Sequence, residues 1–204
     1  MVAPDLTWSS LASSGAALRV AGTRWITHQI AGVGVAAVSA TALAVPAATT
    51  ATLLAAAWIG SLLPDADRAG SRVYRRTRVE RRVPLARLAG WLLRLPLRPL
   101  VLLRHRGITH SLVACAAVAL ATWALVGLAD ADLGVAAGAG MAIGYGAHVL
   151  ADACTPAGVP LWAPLSSKPT WMLPAWARIK TGSAREFVVA TALTGALVSA
   201  TFLL

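Results

Sequence analysis

Seven side chains of the types that bind metal ions through nitrogen or oxygen occur in four short stretches of this 204-residue chain. They include all four of its histidines, and the complete set is His28, Asp65, Asp67, His105, His110, His148 and Asp152. Imidazole and carboxylate together are typical ligands of zinc, with manganese and iron as alternatives. Because a catalytic zinc ion needs about three protein ligands and one open position, seven candidates predict one or two divalent ions.

The spacing of the two later stretches fits a shared site. His148 and Asp152, in HVLAD, are four residues apart and therefore lie on one face of a helix. His105 and His110, in RHRGITHSL, would diverge on a continuous helix, but Gly107 between them permits a turn. The sequence therefore predicts His105 in a loop and His110 near a helix start.

The earlier stretches contribute from two other segments. Asp65 and Asp67, in LPDAD, follow Pro64, which ends a helix and leaves the chain free to direct both carboxylates inward. His28 stands alone at the start of an apolar run. Each of these residues taken singly has an ordinary role as a cap or an interfacial polar group, and it is the set that favours a metal site.

The elements that position these side chains are predicted to be membrane-spanning helices. Hydrophobic residues make up 57% of the chain and charged residues only 13%, against roughly 25% in a soluble domain, and the mean hydropathy is +0.68. Five apolar stretches approach the length of about 20 residues that a span requires: 28–45, 47–63, 110–129, 133–151 and 187–204. We predict one domain, an all-α integral membrane bundle of about five transmembrane helices, tightly packed through small residues.

Arginine sets the predicted orientation. The segment 64–109 contains Arg68, Arg72, Arg75, Arg76, Arg78, Arg81, Arg82, Arg87, Arg94, Arg98, Arg104 and Arg106. The positive-inside rule places this segment in the cytoplasm, which predicts an inner (plasma) membrane protein with a cytoplasmic N-terminus and an external C-terminus. All seven candidate ligands then lie at the cytoplasmic ends of four different spans, although the topology was assigned without them.

The basic segment also contains a predicted interfacial helix. It begins at Pro84, with arginines on one face and leucines and Trp91 largely on the other, and Pro96 interrupts it. This pattern predicts contact with anionic membrane lipid. Although the net charge is +10, the interleaved apolar residues disfavour binding to nucleic acid.

The predicted chemistry is metal-assisted hydrolysis at the membrane surface. Activated water would attack a phosphoryl or acyl centre, and Asp67 or Asp152 could act as general base. Arg106, between the two histidines, is suited to hold an anionic substrate, although it is equally explained as one more cytoplasmic arginine. A lipid or lipid-linked phosphate is the favoured substrate, because its headgroup lies at this depth.

Several motifs together resemble those of the LexA-regulated, membrane-bound metal-dependent hydrolase family. They are LPDAD, HRGITHSL, GYGAHVLADACTPAGVPLWAP and TGSARE, in this order from His28 to Glu186. The resemblance implies distant kinship with zinc-dependent phospholipase C. It also implies metal-ligand roles for His28, Asp65, Asp67, His105, His110, His148 and Asp152.

Two other functions are alternatives. A small transporter or metal carrier usually has charged groups near the middle of the bilayer, and the middles of these spans contain none. A non-catalytic metal-binding membrane protein would have a closed coordination shell, which the sequence does not distinguish from an open one.

Overall fold

The computed structural model describes residues 23–203 except Arg76 and Arg104, and within this part of the chain there are seven α-helices and no named strand. The helices are α1 Thr23–Ala42, α2 Ala47–Gly60, α3 Arg78–Arg82, α4 Pro84–Arg94, α5 Leu112–Gly127, α6 Ala131–Ala153 and α7 Ala184–Leu203. Short 3-10 turns lie at Leu63–Asp67, Arg72–Tyr74, Leu95–Leu102, Ile108–His110 and Ala175–Ala177. An isolated antiparallel bridge pairs Val159 with Thr170.

Three helical segments are long and apolar enough to cross a membrane: Ala47–Asp67, Ala131–Ala153 and Ala184–Leu203. Two shorter apolar helices, Ile26–Ala42 and Leu112–Gly127, accompany them. The prediction of an all-α membrane bundle is therefore confirmed. The predicted cytoplasmic N-terminus lies outside the described residues, and the orientation of the bundle stays a prediction.

Helix α6 is at the centre of the bundle and packs against α1, α2 and α5, while α7 packs on α1. Its contact with α2 is very close, because two of its glycines face the α2 backbone. A Cβ atom at Gly140 would overlap the Leu53 carbonyl oxygen, and one at Gly144 would overlap that of Ala57. The predicted tight packing of small residues is thus found between α2 and α6.

The basic segment folds over the end of α2. Helix α4 ends at Arg94, two residues before Pro96, as expected from the restriction that proline places on preceding residues. Glu80 and Arg94 form an ion pair of 2.6 Å, and the Tyr74 hydroxyl lies 2.7 Å from the carbonyl oxygens of both Ala66 and Leu97. Through Tyr74, the amphipathic segment is held against the LPDAD turn.

Candidate metal centre

One end of the bundle brings all seven candidate ligands together. Helix α1 supplies His28, the turn after α2 supplies Asp65 and Asp67, and the last two turns of α6 supply His148 and Asp152. The histidines of RHRGITHSL come from the loop and 3-10 turn that precede α5. His105 is in the loop and His110 ends the turn just before the helix, as predicted.

Three overlapping groups of ligand atoms result, each with its members within 4.8 Å of one another: His28 with His148 and Asp152; Asp65 with His110 and His148; and Asp65 with Asp67 and His105. The His28 and His148 rings stack with their centroids 4.0 Å apart, and the His110 and His148 centroids are 5.5 Å apart. The centre is therefore compact enough for neighbouring ions to share ligands.

The proton on His110 is assigned by a neighbouring threonine. The Thr109 hydroxyl donates to Asp67 Oδ2 at 2.6 Å, because an ionised carboxylate can only accept. Its oxygen lies 3.0 Å from His110 Nδ1 and can then only accept from that nitrogen. Nδ1 of His110 therefore carries a proton, and in the neutral ring Nε2 presents a lone pair.

The same reasoning applies to His148. Its Nδ1 lies 2.7 Å from the carbonyl oxygen of Ser61, which accepts a hydrogen bond and so requires the proton on Nδ1. Nε2 is left with a lone pair 3.9 Å from Asp65 Oδ1 and 4.0 Å from Asp152 Oδ2. A histidine ligand commonly donates its second ring N–H to a carbonyl or carboxylate in this way.

The resulting lone pairs are buried beside carboxylates without hydrogen-bond partners. Nε2 of both His110 and His148 is fully buried and unpartnered, and so is Nδ1 of His28. Nε2 of His110 is 3.4 Å from Asp152 Oδ2. Buried polar atoms without partners are rare and costly, and lone pairs facing carboxylates repel one another. A cation removes both penalties, so these residues fit a divalent metal ion.

Asp67 is held differently from the other carboxylates. It is 3% exposed, and it accepts from the Arg106 backbone N–H at 3.2 Å as well as from Thr109. Its Oδ1 lies 2.7 Å from His105 Nδ1. This hydrogen bond raises the pKa of His105 above its ordinary value, with the charge of Asp65 adding to the effect. With its oxygens engaged by three groups, Asp67 is better placed to orient His105 and Thr109 than to accept a proton from water.

Arg106 is built into the centre by its backbone and its side chain. Its guanidinium donates to Asp152 Oδ1 at 2.8 Å and to Thr155 Oγ1 at 3.0 Å. The residue has a φ of +58°, an uncommon conformation for a residue other than glycine. Its side chain is 23% exposed and faces the cleft above the histidines. The arginine is thus shared between Asp152 and the cleft.

The cleft gives the centre access from outside the bundle. It has a volume of about 530 Å³ and is lined by His28, Asp65, Arg68, His105, Arg106 and Asp152, together with Ala157 and Thr181. The side chain of Asp65 is 34% exposed. An arrangement in which buried nitrogens, carboxylates and guanidinium groups line one opening can bind a metal ion and an anion side by side.

Several residues that hold these ligands in place were not predicted from the sequence. The Thr109 hydroxyl contacts both Asp67 and His110, and the Ser61 carbonyl oxygen accepts from His148. Thr155 accepts from Arg106. Tyr145 donates from its hydroxyl to the Thr109 carbonyl oxygen. Only Thr109 had a usable signal, since it directly precedes a candidate ligand and its side chain can reach the ring. The other contacts depend on which helices are neighbours.

Comparison with known proteins places the chain among bacterial membrane proteins. The family model described as YdjM inner membrane protein matches residues 24–203. The chain is 40% identical over 103 residues to "Inner membrane protein YdjM" of Escherichia coli (strain K12) and, equally, to the protein of that name from Shigella flexneri. These matches cover 50% of this chain and 44% of each relative. No solved structure matches.

Proposed function

For this chain, which belongs to the YdjM inner membrane protein family, we propose that the cluster is the active site of a membrane-bound metal-dependent hydrolase. The proposed substrate is a phosphoester of a lipid or lipid-linked molecule, cleaved at the cytoplasmic face. The inner-membrane part of the resemblance drawn from the sequence is confirmed by the family. The hydrolase activity and the kinship with phospholipase C are part of the proposal.

The observation that carries the proposal is the trio of unpartnered buried imidazole nitrogens on His28, His110 and His148. In a protein without a ligand at this place, the Nε2 lone pairs of His110 and His148 would oppose the carboxylates of Asp65 and Asp152 with nothing to offset the repulsion. When bound, a divalent metal ion supplies Lewis-acid activation of water and of the phosphoryl group. Zinc is the first choice for mixed histidine and carboxylate ligands, with manganese and iron as alternatives.

Two of the groups of ligand atoms share a residue, which bears on the number of ions. Asp65 belongs both to the group with His110 and His148 and to the group with Asp67 and His105. A carboxylate has two oxygens and can bridge two ions, whereas a neutral imidazole offers one lone pair. If two ions bind, Asp65 would be the residue available to both, with His110 and His148 holding one and Asp67 and His105 the other.

The other residues have roles that need no ion to act. Arg106, with the guanidinium of Arg68 on the same cleft, attracts and orients an anionic substrate. Asp65 is the carboxylate with the greatest access to water, and it would be the better general base in a one-ion arrangement, in which one of its oxygens stays free. This differs from the sequence prediction of Asp67 or Asp152, whose oxygens are engaged by Thr109 and Arg106.

The test is elemental analysis combined with a lipid panel. The full chain is purified into phosphatidylcholine nanodiscs and its metal content is measured. Hydrolysis is followed as inorganic phosphate from phosphatidate and a prenyl pyrophosphate, and as glycerol phosphate and diacylglycerol from phosphatidylglycerol. Chelation followed by return of zinc, manganese or iron identifies the active ion. Protein that retains stoichiometric metal yet cleaves none of these lipids would favour the non-catalytic alternative, and protein that binds no metal would overturn the proposal.

A further inference from the structure

A second, apolar pocket lies directly beside the polar cleft. It has a volume of about 130 Å³ and lies between α1, α6 and α7. His28, Asp152 and Thr181 line both cavities. A polar opening and an apolar pocket therefore meet at the candidate metal centre.

The pocket runs from that junction along the membrane-spanning part of the bundle. Its lining passes from His28 to Ala31 on α1 and from Glu186 through Val189 to Leu193 on α7. The seven steps along the helix from Glu186 to Leu193 correspond to a rise of about 10 Å. The cavity thus begins at the polar centre and continues toward the middle of the bilayer.

One wall of the pocket reaches the surface of the bundle, and hydrogen bonds hold α1 and α7 together at its polar end. Val189 on the pocket wall is 42% exposed, so a hydrocarbon chain can approach the pocket along this side of α7. At the polar end of the pocket, beside His28, Glu186 accepts a hydrogen bond from the Thr27 hydroxyl at 3.1 Å and another from the Gly182 backbone N–H. The contact with Thr27 fixes the spacing of α1 and α7 at the level of the histidines, and the pocket wall beyond it is apolar.

We infer that this pocket binds the hydrocarbon chain of the substrate while its phosphate occupies the cleft at Arg106. The inference rests on the proposed function and narrows its substrate to an amphiphile that enters sideways from the membrane. A phosphate with a hydrocarbon tail matches the change from guanidinium-lined cleft to apolar pocket at His28 and Asp152. Apolar cavities of about 150 Å³ in other proteins remain dry and accept a hydrocarbon as small as benzene, so this pocket has room for the carbons of the chain nearest the phosphate.

Photocrosslinking tests the inference without requiring turnover. The full chain in phosphatidylcholine nanodiscs is given a small fraction of phosphatidate with a diazirine on one acyl chain, and the labelled residues are mapped by mass spectrometry. Diacylglycerol with the same diazirine is the control for a chain without phosphate. We expect phosphatidate to label the segments around Ala31 and Leu193, and diacylglycerol to label lipid-facing residues throughout.

Two neighbouring valines give a matched pair of variants. Val189→Phe should reduce labelling around Ala31 by about tenfold, the effect of losing the burial of roughly two methylene groups. Val188→Phe adds the same bulk at a residue that is 64% exposed and does not line the pocket, and it should label like the wild type. Failure of Val189→Phe to fold leaves the wild-type map as the deciding measurement.

Labelling that is uniform along the lipid-facing helices, or equal for the two probes, would overturn the inference. The result is separable from that of the proposed function. Pocket labelling without phosphate release would support the binding site for the hydrocarbon chain and exclude hydrolysis of phosphatidate. Phosphate release with uniform labelling would support the hydrolase and reject the pocket.

Discussion

The hydroxyl of Thr109 should control metal affinity, although it does not belong to the proposed ligand set. Thr109→Val keeps the shape of the side chain and removes only the group that connects Asp67 to His110. Asp67 then loses its O–H donor at 2.6 Å, and the His110 Nδ1–H loses its acceptor at 3.0 Å. Both groups are buried, so neither is compensated by bulk water.

The magnitude follows from what His110 loses. Removal of a residue that orients a metal-binding histidine typically lowers metal affinity by about 10–100-fold. Leaving a buried polar group unsatisfied costs about 1–3 kcal/mol. Each tenfold change in affinity is about 1.4 kcal/mol, so the two figures agree. We therefore expect Thr109→Val to weaken zinc binding by about 10–100-fold.

The assay is competition for zinc between the purified protein in nanodiscs and a chromophoric chelator. Thr191→Val is the matched control, because the Thr191 hydroxyl is exposed and bonds only to its own helix at the Phe187 carbonyl oxygen. Thr109→Ser should restore most of the affinity, since it returns the hydroxyl. If Thr109→Val binds zinc as tightly as Thr191→Val, the assignment of the His110 proton is wrong.

Four further results are expected. His148→Ala should lose metal and activity together, measured by elemental analysis and phosphate release, and full metal retention would exclude it as a ligand. Arg106→Ala should keep its metal while kcat/KM falls by about tenfold or more. Arg106→Lys should recover little, since an ammonium group cannot donate two parallel hydrogen bonds to a phosphate as a guanidinium does. An unchanged kcat/KM in Arg106→Ala would mean that Arg106 has only a structural or topological role. Gly144→Val should reduce the yield of folded protein and lower its Tm, because its side chain meets the α2 backbone, and a wild-type Tm would contradict the close contact. Arg87→Cys should react with an impermeant maleimide only after cells are permeabilised, and labelling of intact cells would reverse the predicted orientation.

Much of the fold was accessible from sequence because apolar length and proline position are local signals. The stretch 28–45 was predicted as a span, whereas α1 runs from Thr23 to Ala42. The helix begins earlier than the predicted span because the polar residues before the apolar run are also helical, and hydropathy detects only the apolar part. It ends earlier because Ala44, with a φ of +48°, lies in the turn before Pro46.

For the candidate site, the sequence was enough to predict which residues take part and that they lie at the same end of the bundle. His148 and Asp152 share a helix face by spacing alone, and the arginine pattern placed the other stretches at the same end. The proton positions were not predictable, because they depend on Thr109 and on the Ser61 carbonyl oxygen, which approach only in the folded bundle. The pairing of Arg106 with Asp152 joins residues 46 positions apart and carries no local signal.

The glycine contacts of α6 also have a mechanical consequence. Gly140 and Gly144 interlock with the backbone of α2, while His148 and Asp152 follow on the same helix and Asp65 follows α2. Sliding of α6 by a single residue would displace its side chains by about 1.5 Å relative to Asp65, and the interlocked backbones oppose that movement. In a bilayer that is thinner or thicker than usual, we therefore expect α2 and α6 to tilt together as a unit. We therefore expect the distances from Asp65 to His148 and Asp152 in the candidate metal centre to vary little with the thickness of the surrounding membrane.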